Sequence, residues 1–196
     1  MLIYSNENYQ HIMQAAEGLV RIGVRYPHYV FSRAFSSLHF CEYEVAVLPE
    51  VVEELCRVHT DEQAVYVHLN PGAEDFWLKK TGHYGALLLS VDSISEKWNY
   101  ELDKPSKVAS AITQYPLSRW TGQAVTFGSK SNWCIYHDYE YGLSVIGTSI
   151  DLKRSRLDIV QKYVHDASWA VSFWKHGGAR MSCEFYNLIE KNYSIV

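Results

Sequence analysis

The sequence predicts an α+β fold: a mixed, mostly antiparallel sheet packed by several helices, in a single domain over residues 1–196. Three observations carry that expectation. Helical and strand-like periodicities are mixed, without the regular strand–helix–strand rhythm of a doubly wound sheet. A chain of 196 residues suits one domain and can bury a real core without staples. Apolar residues make up 47% and charged residues 20%, an ordinary globular balance with aromatic and β-branched residues throughout.

A first helix is expected at about residues 8–21, because Tyr9, Ile12, Met13, Ala16, Leu19 and Val20 share one face and Gly23 suits the stop. Residues 29–47 favour two strands, since Cys41, Tyr43, Val45 and Val47 alternate with Glu42, Glu44 and Ala46. Pro49 fits the first position of a short helix to about Val58, with Val51, Val52, Leu55 and Val58 inward. Residues 64–69 read as a strand. Asn70-Pro71 then caps a helix to about Lys80, ended by Gly82. Residues 84–91 form an apolar strand, and Ser93-x-x-Glu96 matches a capping box for a helix through about Leu102. The stretch 103–123, with Pro105, Pro116 and Gly122, is the weakest point of the chain. Residues 124–127, 132–137 and 140–146 read as strands. From Ser155, the residues Leu157, Val160, Val164, Ala167, Val171 and Trp174 predict the clearest helix, stopped by Gly177-Gly178. A last helix over 182–191 buries Phe185, Leu188 and Ile189.

The N-terminal Met1-Leu2-Ile3-Tyr4-Ser5-Asn6-Glu7 has no basic segment followed by an apolar run, so no secretory leader is expected. Apolar stretches such as Ala86-Leu87-Leu88-Leu89 are too short to span a bilayer. Both features point to a cytoplasmic protein. There Cys41, Cys56, Cys134 and Cys183 are expected as free thiols, mostly small core residues. Fifteen Tyr and six Trp supply core, and their excess also favours a protein-binding surface.

Charge is distributed unevenly. Residues 34–78 hold nine acidic side chains (Glu42, Glu44, Glu50, Glu53, Glu54, Asp61, Glu62, Glu74 and Asp75) against Arg57 alone, a balance of −8. The remaining 17 Lys/Arg and 13 Asp/Glu give +4. On the helix after Pro49, Glu53 and Arg57 can pair at i,i+4, which leaves Glu50 and Glu54 uncompensated. Such a field would attract a basic surface and repel nucleic acid. A solvated acidic face that keeps the protein soluble is the plainer reading.

Motifs for chemistry are sparse. Cys56/His59 and Cys134/His137 have C-x-x-H spacing, yet zinc needs about four converging ligands, and residues three apart on a strand face opposite sides. No metal and no cofactor are therefore expected. Glycine-rich phosphate loops and the G-x-S-x-G elbow are missing. A small cytosolic enzyme, using a thiol or an acid/base pair, stays open as an alternative because such residues meet in space. So does a subunit of a larger assembly.

The segment 133–146 is the most suggestive. With a turn centred on Asp138-Tyr139, His137 pairs with Glu140 and Tyr136 with Tyr141. Cys134, Tyr136, Tyr141 and Leu143 then face the core, and Trp133, Ile135, His137 and Glu140 face the other way. Asp138-Tyr139 is not a favoured two-residue hairpin pair, so a longer loop would shift this register. Trp133, then His137-Asp138-Tyr139-Glu140, then residues 143–146, resemble the tryptophan-led hairpin of bacterial polymorphic-toxin immunity proteins; the arginine common before the Asp is replaced here by His137. The resemblance covers about 15 residues. It implies a cytosolic, cofactor-free inhibitor that occludes a toxin domain. The acidic stretch would suit a basic toxin, with Glu42, Glu44, Glu50, Glu53, Glu54, His137, Asp138, Tyr139 and Glu140 as the partner-binding set.

Overall fold

The computed structural model of the chain describes residues 1–70, 72–103, 122–152, 155, 157–177 and 181–194, with the side chains of 73–75 left aside. The fold is α+β, with a six-stranded sheet whose neighbouring strands all run antiparallel. The strands are β1 (Ser37–Glu42), β2 (Gln63–Asn70), β3 (Ala86–Ser90), β4 (Gln123–Gly128), β5 (Trp133–Asp138) and β6 (Leu143–Thr148). Their order is β1-β6-β5-β4-β2-β3.

The sheet is covered on both faces. Alternation along each strand sends Phe40, Val65, Val67, Val125, Phe127, Tyr136 and Val145 into one core, and Cys41, Ala64, Tyr66, Ala124, Ile135 and Ile146 into the other. Helices α1 (Asn6–Glu17), α7 (Ala167–His176) and α8 (Cys183–Tyr193) pack on the first face. On the second pack α2 (Tyr43–Ala46), α3 (Pro49–His59), α5 (Ile94–Asp103) and α6 (Asp158–Tyr163). The short α4 (Lys79–Thr81) follows a π-helical segment, Ala73–Leu78, and stops at Gly82, whose φ is 77°. Because both faces are covered, β4, β5 and β6 are buried along their whole length, the polar Gln123, Thr126, His137, Asp138, Ser144 and Thr148 included. Among the described residues no helix is long and apolar enough to cross a membrane.

Most of the aromatic excess is core. Trp77, Trp98, Trp133 and Trp174 are fully buried. Tyr26 sits inside a ring of Phe40, Tyr136, Tyr141, Trp174 and Tyr193, with centroids 5.6–5.9 Å away.

Four expectations need correction. The alternation read through Val47 stops at Glu42: Tyr43 and Ala46, buried at i,i+3, belong to α2, and one strand replaces the two expected over 29–47. The helix expected from Ser155 to Trp174 is broken. Val164 is extended and Asp166 caps α7, its carboxylate accepting from the Trp169 N–H. The apolar stripe is real but serves two cores: Leu157 and Val160 face one side of the sheet, and Ala167, Val171 and Trp174 face the other. Between them the chain crosses the β1 edge, where Phe40 and His165 exchange two 2.8 Å backbone hydrogen bonds. Ser93 does not cap α5 from a box; it lies in a 3₁₀ turn and its hydroxyl donates to the Ser90 carbonyl. The β5–β6 register differs as well: Asp138 pairs with Leu143 and His137 with Ser144, because residues 139–142 form a longer turn closed by Gly142 at φ 67°. The shift is by an even number of residues, so Cys134, Tyr136 and Leu143 keep their expected face. Pro71, Gly178 and most of the 103–123 stretch lie outside the described residues.

One buried acid ties the sheet to α3. Asp61, just past α3, accepts from Trp133 Nε1 at 2.8 Å and from the Lys130 N–H at 2.6 Å. Gly128 passes so close that a Cβ there would overlap the Asp61 carboxylate. Gly128→Ala is therefore expected to destabilise the protein by about 2–3 kcal/mol, as overpacking does, read as a drop in the thermal midpoint. An unchanged midpoint would show that Asp61 can swing aside.

Candidate functional site: an acidic cleft floored by tyrosine

The β5–β6 turn and the β1–α2 junction meet at the surface. The Tyr43 N–H donates to the Gly142 carbonyl at 3.1 Å, which fixes the junction against the turn. Tyr43 points inward and is 7% exposed, so the flanking Glu42 and Glu44 are thrown outward. Across from them Tyr139 is 43% exposed, its ring edge-on to Tyr43 at 5.3 Å. Glu42, Tyr43, Glu44, Tyr139 and Gly142 line an open cleft of about 390 Å³. Among the described residues, neither glutamate forms an ion pair. Burial pushes the Tyr43 phenol above its ordinary value, against a hydrogen bond with Tyr66 that pulls it down.

Beneath the cleft the turn is anchored by buried polar groups. His137 is fully buried: Nε2 lies 2.8 Å from Thr126 Oγ1 and Nδ1 3.0 Å from Ser144 Oγ. Burial pushes its pKa down to about 3, so the ring is neutral. Asp138 is also fully buried and is held by Arg25, Nε at 2.8 Å and an η nitrogen at 2.6 Å. Burial lifts the Asp138 carboxyl and the Arg25 bonds pull it back, while the guanidinium is held firmly charged. The other η nitrogen of Arg25 reaches Glu140 at 2.8 Å. His137 and Asp138 therefore have no surface to offer a partner; they hold the turn that presents Tyr139 and Glu140.

The carboxylates of α3 and its end differ in their surroundings. Glu50 is exposed in the first turn of α3. Glu53 pairs with Arg57 at 2.5 Å. Glu54 accepts from the N–H groups of Ile159 and Val160, at 3.3 and 2.7 Å, and so caps α6. Asp61 is buried as described. Among the described residues, the carboxylates of this cleft that form no ion pair are Glu42 and Glu44. The sequence reading missed Tyr43, Gly142 and Arg25. A buried Tyr between two glutamates was a usable signal, whereas Arg25 lies 113 residues from its partner and gave none.

Three of the four thiols are buried. Cys41 and Cys56 are buried and pushed up to about 12, and burial raises Cys134 further; all three are protonated at neutral pH. Cys183 is exposed. His59 is buried against Thr148 Oγ1 at 2.9 Å. No group of three His, Cys, Asp or Glu side chains among the described residues could hold a metal ion.

Fold and site together define an α+β protein with a doubly covered antiparallel sheet and an acidic, aromatic-floored cleft at one end of its central hairpin. No protein-family model, no curated protein and no solved structure matches the chain.

Proposed function

We propose that this chain is a cytoplasmic, protein-binding inhibitor of the immunity type, and that it docks a basic surface of a toxin domain at the Glu42–Glu44 cleft. The observation that carries the reading is a pair of carboxylates, without an ion-pair partner among the described residues, set on either side of Tyr43 and opposite the half-exposed Tyr139. Two carboxylates beside aromatic rings suit a Lys or Arg side chain, which gains from charge and from the ring faces. The Trp133-led hairpin supports the same reading by its likeness to immunity proteins. Its buried Asp138–Arg25 pair gives the turn a fixed shape before any partner arrives, which lowers the ordering cost of binding.

The test uses the purified product of the reading frame next to this one as the partner. Glu42→Lys with Glu44→Lys is expected to slow association about 10- to 100-fold at low salt and to lose most of that effect at 1 M salt. Glu54 is avoided because its loss would uncap α6. Identical association rates for the two proteins at low salt would remove the cleft from the interface.

A further inference from the structure

A second and larger cavity, about 470 Å³, opens at the start of β1. Ser37 and His39 stand in its wall two residues apart, on the same side of the strand. The Ser37 hydroxyl oxygen lies 2.5 Å from His39 Nε2. Both residues are more than nine-tenths buried and still line the cavity. Asp151 and Asp166 line the same cavity, as do Ala167 and Ser168 from the first turn of α7. The Asp166 carboxylate holds that turn by accepting from the Trp169 N–H and the Ser168 hydroxyl, each at 2.9 Å. The Ala167 and Ser168 N–H groups precede the first helical hydrogen bond of α7.

We propose that Ser37 and His39 are the nucleophile and general base of an acyl-ester hydrolase, acting on short, polar acyl groups that a cavity of this size and hydroxyl- and carboxylate-rich lining accommodates. This activity is separate from the docking cleft and does not depend on it. His39 Nε2 takes the Ser37 proton as the Ser37 oxygen bonds to the ester carbonyl carbon. The bond from that carbon to the alcohol oxygen then breaks, and the alcohol leaves with the proton from His39. Water repeats the sequence on the acyl-serine: its proton goes to His39, its oxygen to the carbonyl carbon, and Ser37 is released with the proton returned. The net change consumes one ester and one water and yields one acid and one alcohol, with no redox step.

The experiment treats the full chain with a fluorophosphonate probe. Attack by Ser37 forms a P–O bond and expels fluoride, and the adduct is located by peptide mass spectrometry. The expected result is one adduct, on Ser37, absent in Ser37→Ala and formed about 100-fold more slowly in His39→Gln. The wild-type chain is expected to hydrolyse p-nitrophenyl acetate, and Ser37→Ala is not. Thermal midpoints are recorded for every variant, and Ser37→Cys, which keeps the size of the side chain, is expected to be alkylated by iodoacetamide faster than Cys183. An adduct on another serine, a folded wild-type protein that takes no label, or a His39→Gln variant that labels at the wild-type rate would each overturn the assignment.

Discussion

Lowering the pH from 7 to 5 is expected to remove about 4 kcal/mol of folding stability. Two buried imidazoles carry the effect. Burial holds His83 down to about 4 and His137 down to about 3, against about 6.5 in an unfolded chain. Below 6.5 the unfolded state binds protons that the folded state refuses, so stability falls as the pH falls. At pH 5 each group is almost fully charged when unfolded and almost fully neutral when folded, a difference of about 2 kcal/mol apiece. The loss continues until the pH reaches the folded values. His59, also pushed down by burial, adds in the same direction. Against a total stability of about 5–15 kcal/mol, the loss is large. Urea denaturation at pH 7, 6 and 5 measures it; a midpoint that stays level across that range would mean that the two rings find charged-state partners.

Removing Arg25 is expected to be nearly as damaging. Arg25→Met leaves the Asp138 carboxylate, among the described residues, with the Tyr136 hydroxyl 3.3 Å away as its remaining side-chain donor. Breaking a buried pair by deleting one partner costs about 3–5 kcal/mol. The Arg25 side chain is 30% exposed, so water enters where it was, and the lower end, about 3 kcal/mol, is expected. The double variant Arg25→Met/Asp138→Asn removes the stranded charge and is expected to recover at least half of the loss. A single variant as stable as the parent would show that the pair is replaceable, and would weaken the view that it shapes the Tyr139 turn.

Much of the architecture was legible in local patterns. Pro49, Gly82 and the apolar runs at 64–69, 84–91 and 124–127 marked their start, stop and strands to within a residue or two, because first-turn proline, left-handed glycine and apolar runs act locally. What failed was long-range. The stripe from Leu157 to Trp174 has ideal helical spacing, and only the sheet edge between its halves explains the break at Val164. His137 looked like a turn residue because nothing nearby announces Thr126 and Ser144 as its partners. The acidic count over 34–78 overstated the free charge: Asp61 is buried, Glu53 pairs with Arg57 as its spacing predicts, and Glu54 caps α6.

The position of β1 sets the order in which the molecule can be assembled. Its partner β6 lies about 100 residues further along, whereas β4, β5 and β6 follow one another with short connections. Closing so long a loop carries an entropic penalty that the near-neighbour pairs escape. The meander from β4 to β6 can therefore form early, and β1 can dock only after residue 148 is available. On the ribosome, β1 must wait, its Phe40 and Cys41 without their strand partner, until three-quarters of the protein has been made.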